Sequence, residues 1–352
     1  MSALIEVFPD EISLMILARV PLSLHPKLRL VCHSWRAIVN SVKLLKVRQE
    51  VNFVEDLMCV CSHEPDNIWQ LHDAQNNVWI TAPVLPSKLS HLSYFGAVST
   101  AGKLYVLGGV HVPDDIAYGR HHTFPATNQV WSYEPVTRRW TLCEPMIKAR
   151  ANFACGVLDG MIIVAGGLST ATLHWRPIKQ VEMYDPTKDV WIQLPDLLYA
   201  NNAPCYGVVV RRKLHVVHRQ LSAMQVLDKE TRVWTLSRCP WRNYPRAVIG
   251  NDVYVMCNEE FYHESQVREK KEPKFTAVGY NKISGFAVTS LGNSIYLIGG
   301  SGMRGDIFNS EKYELSDVTV LTPSLQEPWA SHHASPMTRC RGTILGCTPL
   351  RM

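Results

Sequence analysis

The chain has 352 residues, of which 46% are hydrophobic and 19% charged. That balance excludes intrinsic disorder, and the length exceeds one ordinary domain of ~100–150 residues. The formal net charge is only +5, with no long basic stripe, which argues against a nucleic-acid binder.

The opening residues, MSALIEVFPDEISLM, carry acids at Glu6, Asp10 and Glu11, whereas a secretory signal has a basic start followed by an unbroken apolar stretch. Apolar runs such as Met161 to Ala165 fall far short of the ~20 residues that span a bilayer. The expectation is an intracellular protein, cytoplasmic or nuclear, with no membrane association. Its ten cysteines are then expected to be reduced thiols acting as small hydrophobes.

Residues 1–45 have helical patterning. Ile12, Met15, Ile16 and Val20 recur at steps of three and four, the spacing that lines one helix face. Pro9, Asp10 and Glu11 suit a helix start, and Pro21 ends the helix. A second periodic stretch, Leu28, Val31, Cys32, Trp35, Ile38 and Val39, predicts one or two further short helices. So small a head cannot bury all these apolar groups, so part of its surface is expected to meet a partner.

Residues 46–352 form a second domain in which, from about residue 53, the period changes to two. KLYVLGG (103–109), GMIIVAGG (160–167) and SIYLIGG (294–300) each end an apolar strand on two glycines. VWSYEPVTRRW (130–140) and VEMYDPTKDVW (181–191) follow the first two, each with a Tyr and a Trp seven residues apart. Trp79, Trp140, Trp191 and Trp234 recur at 61, 51 and 43 residues, the spacing of propeller repeats built from four-stranded units of ~40–50 residues. Degenerate strands at 213–218 and 252–257 fill the gaps, giving six units. The first lacks its opening strand. RGTILGCT (341–348) has the character of that strand, and pairing it with residues 56–62 would complete the first sheet and remove exposed edges.

FPDEISLMILARVP followed by LRLVCHSWR resembles an F-box, and the double-glycine, Tyr and Trp repeats resemble kelch. Together they cover nearly the whole chain and resemble the plant F-box/kelch-repeat proteins of the Skp-interacting-partner type. Departures are Phe8 where Leu is usual, and His33 where Lys or Arg is usual. The resemblance implies a mainly β fold: a six-bladed kelch β-propeller closed by a C-terminal strand, with a small N-terminal α-helical F-box. It further implies a non-catalytic subunit of an SCF-type ubiquitin ligase. The F-box would bind a Skp-type adaptor, and through it a cullin scaffold, using Phe8, Pro9, Ile12, Ile16, Leu17, Leu28, Val31 and Trp35. The alternative is a kelch scaffold that bridges partners without ubiquitylation.

In an up-and-down blade, the connections between second and third strands and between consecutive blades emerge on one face, where loops carry specificity. They contain Arg120, Arg150, Arg176, Arg246, Arg304 and Arg339, with Trp175 and Tyr244 among the aromatics. Guanidinium forks pair carboxylates or phosphates and aromatics supply anchor area, so an acidic or phosphorylated protein segment is the expected ligand. Such arginines can equally brace neighbouring blades, Arg150 in particular.

Gly300, Gly302 and Gly305 spell G-x-G-x-x-G, but the following residues do not read as the helix that a dinucleotide site needs. Cys59, Cys61 and His63 alternate along one strand without a fourth zinc ligand at suitable spacing. Neither a G-x-S-x-G nor a Walker sequence occurs, so no cofactor, metal or catalytic residue is expected.

Overall fold

The computed structural model describes residues 4–64, 68–83, 86, 91–112, 124–170, 174–218, 223–228, 230–239, 241, 244–267, 273–304, 311–324 and 329–352. Four α-helices come first: α1 (Asp10–Ala18), α2 (His25–Leu28), α3 (His33–Val39) and α4 (Val42–Glu50). Pro9 precedes α1 with φ −53° and ψ 150°, and Asp10 and Glu11 occupy its first turn, where carboxylates complement the exposed amides. The Ser41 hydroxyl accepts the Leu44 amide at 3.2 Å and so caps α4. This last helix crosses the boundary read at residue 45. Its buried side is made by Leu44 and Arg48, and a charged residue on an inward face hides the apolar period.

The rest is antiparallel sheet. Six four-stranded sheets form among the described residues. Sheet 1 joins Asp56–Glu64, Trp69–Asp73 and Val78–Thr81 to the terminal strand Arg341–Arg351. The first and last strands pair from Asp56 opposite Arg351 to Glu64 opposite Arg341, a ladder longer than the 341–348 segment suggests. The innermost strands of sheets 2 to 6, in chain order, are Gly96–Thr100, Ala154–Leu158, Cys205–Val210, Arg246–Ile249 and Ala287–Leu291.

Packing between sheets is cyclic. Each apolar cluster is shared by consecutive sheets: Leu107 with Ile162, Ala165 with Leu214, Val217 with Val255, Phe261 with Leu297, and Ile298 with Val60. The cluster between sheets 1 and 2 also takes in the head. Leu17, Ala18, Leu22 and Leu44 lie in it beside Leu57, Cys59, Trp69, Leu104, Tyr133 and Leu350. Full burial of each Leu stabilises the joint by ~1.5–3 kcal/mol, so head and propeller share a core.

The repeated residues have distinct tasks in this packing. Gly108 and Gly109 have φ of +57° and +96°, a conformation costly for residues bearing a Cβ. A Cβ on Gly108 would stand 2.5 Å from the Arg150 carbonyl oxygen, and one on Gly109 would stand 2.7 Å from that of Ser93. The glycines thus let the connection from one sheet to the next cross over the strand end. Tyr133 faces Trp140 and Tyr184 faces Trp191 across strand pairs, ring centroids 5.0 Å apart in both. The indole nitrogens then reach the preceding sheet: Trp191 donates to the Glu144 carbonyl (2.9 Å), Trp234 to Pro195 (2.8 Å) and Trp79 to Ser335 (2.7 Å).

Candidate functional site: two opposite faces

On the head, α1 divides its residues by helical period. Ser13, Leu14, Leu17 and Ala18 are buried against the core. Ile12 (43% exposed), Met15 (41%) and Ile16 (41%) point outward, with Phe8 (46%) one turn earlier. Pro9 is exposed, and Val31 (59%) and Leu30 (79%) add apolar surface from the segment after α2. Water therefore meets an apolar patch of the kind that marks an interaction site.

Of the residues expected to touch an adaptor, Phe8, Pro9, Ile12, Ile16 and Val31 offer surface, and three do not fit that role as simply. Leu17 is buried, because its place one residue after Ile16 turns it about 100° around the helix, onto the Leu14 side. Leu28 and Trp35 pack against the shared core, and the Trp35 indole donates to the Leu4 carbonyl at 2.6 Å. Met15 belongs to the outward patch, and its three-residue step from Ile12 was the signal that could have added it.

A buried ionic joint fixes this head in place. The Arg48 guanidinium pairs with the Glu55 carboxylate and donates to the carbonyls of Ala18 (3.1 Å) and Val20 (2.8 Å) as well. Glu55 accepts the Leu22 amide at 2.9 Å, while its backbone exchanges hydrogen bonds with Met352. Burial pushes the Glu55 carboxyl up, opposed by Arg48 and the Leu22 amide. One residue thus links the helices, through its carboxylate, to the chain's last residue, through its backbone. Beside it, a cleft lined by Leu45, Phe53, Gly102, Val136 and Met352 shows which side of the propeller the head covers. Gly102 lies between the first and second strands of sheet 2 and Val136 between its third and fourth, so those turns face the head.

The other connections form the opposite face and pair with one another. Leu92–Ser93 pairs with Val110–His111, Ala151 with Leu168, and Ile283–Ser284 with Ser301–Arg304. Arg176 is exposed on the hairpin made by Leu168–Thr170 and Trp175–Pro177, beside the half-buried Trp175. Arg304 is exposed and lies over the Tyr313 ring, 4.8 Å from its centroid. Arg339 is exposed, and its amide is held by the Gln70 side chain at 2.9 Å. Arg246 sits at the central channel over Tyr206, and Tyr244 packs against the core between sheets 4 and 5. Arg120 lies outside the described residues.

Arg150 is a brace and has no surface to offer a ligand. It is fully buried, pairs with Glu182, and donates to the carbonyls of Gly166 (2.9 Å) and Gln180 (3.0 Å). Glu182 also accepts the amides of Ile147 (2.7 Å) and Lys148 (3.1 Å). Gln70 receives the amides of Arg339 and Cys340, and Gln225 that of Tyr199, in the same manner. These acceptors, each on the third strand of its sheet, tie down the connection from the preceding sheet. The same face exposes Ile147, Leu198, Val278 and Met303, which a search for arginines and aromatics passed over.

A model of the F-box domain matches residues 5–47, and one of the Kelch motif matches residues 149–198. F-box/kelch-repeat protein SKIP30 of Arabidopsis thaliana is 43% identical over 351 residues, covering 99% of this chain and 97% of that protein. This chain belongs to the F-box/kelch-repeat proteins. F-box/kelch-repeat protein At1g16250 of the same plant is 25% identical over 99% of the chain and 97% of its own length. Among solved structures, that of YjhT matches with a TM-score of 0.53 at 13% identity, over 75% of this chain and 91% of that one, a likeness of propeller fold alone.

Membership of this family also explains the two constellations that resemble other chemistry. Gly300, with φ +105°, belongs to the kelch double glycine, and a strand, Ser301–Arg304, follows it, so among the described residues no helix N-terminus follows to cradle a phosphate; Gly305 lies outside them. A Cβ on Gly302 would collide with the Tyr313 ring at 2.4 Å. Cys59 and Cys61 lie in the core shared with the head, where burial pushes both thiols up, while His63 is exposed at the strand end. These thiols pack as neutral hydrophobes.

Proposed function

We propose that this chain is the substrate receptor of an SCF-type ubiquitin ligase. The head docks a Skp-type adaptor, and through it a cullin scaffold, while the propeller face on the far side holds a protein substrate for ubiquitylation and proteasomal degradation. The observation that carries this reading is an outward apolar patch, Phe8, Ile12, Met15, Ile16 and Val31, on a head whose inner side is locked into the propeller core. Such a patch offers a partner protein an apolar anchor surface. The rigid joint holds a bound substrate at a set distance from the recruited machinery, raising the effective concentration of its lysines without catalytic side chains of the receptor's own.

The test is co-purification of the full chain with a Skp-type adaptor. Ile12→Asp with Ile16→Asp places two charges on the exposed patch and leaves the core untouched. Loss of adaptor binding with an unchanged thermal midpoint supports the assignment. Full retention of the adaptor by the double variant refutes it. An adaptor complex that never recruits cullin favours the scaffold reading.

A further inference from the structure

The six innermost strands surround a cavity of about 350 Å³ lined by residues from every sheet, including Ser99, Cys155, Gly207, Thr289 and Thr348. Its volume is within the ~300–1,000 Å³ of ligand pockets. Arg246 is the one charged residue on this lining. As the first residue of its strand (Arg246–Ile249), it stands at the channel end that faces away from the head. Its guanidinium carbon lies 4.0 Å from the centroid of the Tyr206 ring, and this stacking presents the fork in one plane. Its Nη1 is shielded from solvent yet has no hydrogen-bond partner among the described residues. A sequestered charged donor without an acceptor carries a penalty that a ligand oxygen would relieve.

We propose that Arg246 binds a single carboxylate, the side chain of an Asp or Glu on an extended segment of the protein substrate entering the channel mouth. The inference rests on the receptor reading above and selects between the acidic and phosphorylated ligands. One guanidinium balances one carboxylate. A phosphorylated residue carries a charge of about −1.5 to −2 and would leave part of it uncompensated against a lining otherwise made of neutral groups. Arg176 and Arg339, being exposed, form weaker, solvent-screened contacts and contribute to the rim around this anchor.

The test uses the purified full chain and a library of octapeptides with random flanks and one central position fixed as Glu, Asp, Gln or phosphoserine. The wild type should enrich Glu and Asp over Gln by about tenfold or more, the scale of a charge-assisted hydrogen bond. Arg246→Gln and Arg246→Met should each abolish that enrichment while melting like the wild type. Arg176→Gln with Arg339→Gln should keep it. Absence of acidic enrichment, preference for phosphoserine over Glu, or enrichment that survives both Arg246 variants would each overturn the proposal. Adaptor co-purification reads the receptor function separately, so failure of one is distinguishable from failure of the other.

Discussion

Removing Arg48 tests whether the head is held by its ionic joint. In Arg48→Met, the Glu55 carboxylate stays in a site where its side chain is 6% exposed, with the Leu22 amide, at 2.9 Å, as its remaining hydrogen-bond donor among the described residues. Breaking a buried pair from one side costs ~3–5 kcal/mol, and the carbonyls of Ala18 and Val20 lose their donor as well. Arg48→Met with Glu55→Leu removes the stranded charge and should recover ~2 kcal/mol, leaving the two carbonyls and the Leu22 amide unmatched at ~1 kcal/mol each. Native-state hydrogen exchange on the full chain provides the assay. Amides of α1 and α4 should exchange far faster in the single variant and partly regain protection in the double, while sheet 4 stays protected. Equal exchange in the two variants, or loss that begins in sheet 4, would refute this account of the joint.

Three further outcomes rest on individual side chains. His25 is buried with its Nε2 3.3 Å from the Val20 carbonyl, and burial together with the nearby Arg48 lowers its pKa from 6.5 to about 4. The unfolded chain therefore binds a proton that the folded one refuses between those values. Head stability is intact above pH 6.5 and falls as pH drops toward 4, by ~2 kcal/mol at pH 5; His25→Leu should flatten this slope in pH-dependent hydrogen exchange. Trp191→Phe loses the bond to the Glu144 carbonyl and should cost ~1 kcal/mol in urea unfolding. Trp140→Phe should cost less, because the Trp140 indole nitrogen is buried without a partner among the described residues.

Local chemistry made much of this protein legible from residue order. The period of Ile12, Met15 and Ile16 marked a helix, Pro9 and Pro21 its ends, and paired glycines with Tyr and Trp marked the kelch strands, because each feature acts over fewer than ten residues. The propeller fold followed from repetition, since a unit that cannot cover its own apolar faces must stack on a copy of itself. Side-chain direction was less accessible. Leu17 and Ile16 are adjacent and equally apolar, yet only the packing of α1 on the shared core turns the first inward and the second out.

The arginines show the same limit more sharply. Residue type placed Arg150, Arg176, Arg246 and Arg339 in one class, since all four lie in or beside loops of the same face. Tertiary structure separated them: Arg150 found Glu182 across 32 positions of chain and became a brace, Arg246 settled on Tyr206 at the channel, and the other two stayed in water. Residue order by itself determined the first helix and the repeating strands, though not the span of α4, and that the head carries more apolar surface than it can cover. What each polar group pairs with, and which side of the head remains open, was decided only in three dimensions, because burial and partnership depend on residues that the chain brings together from far apart.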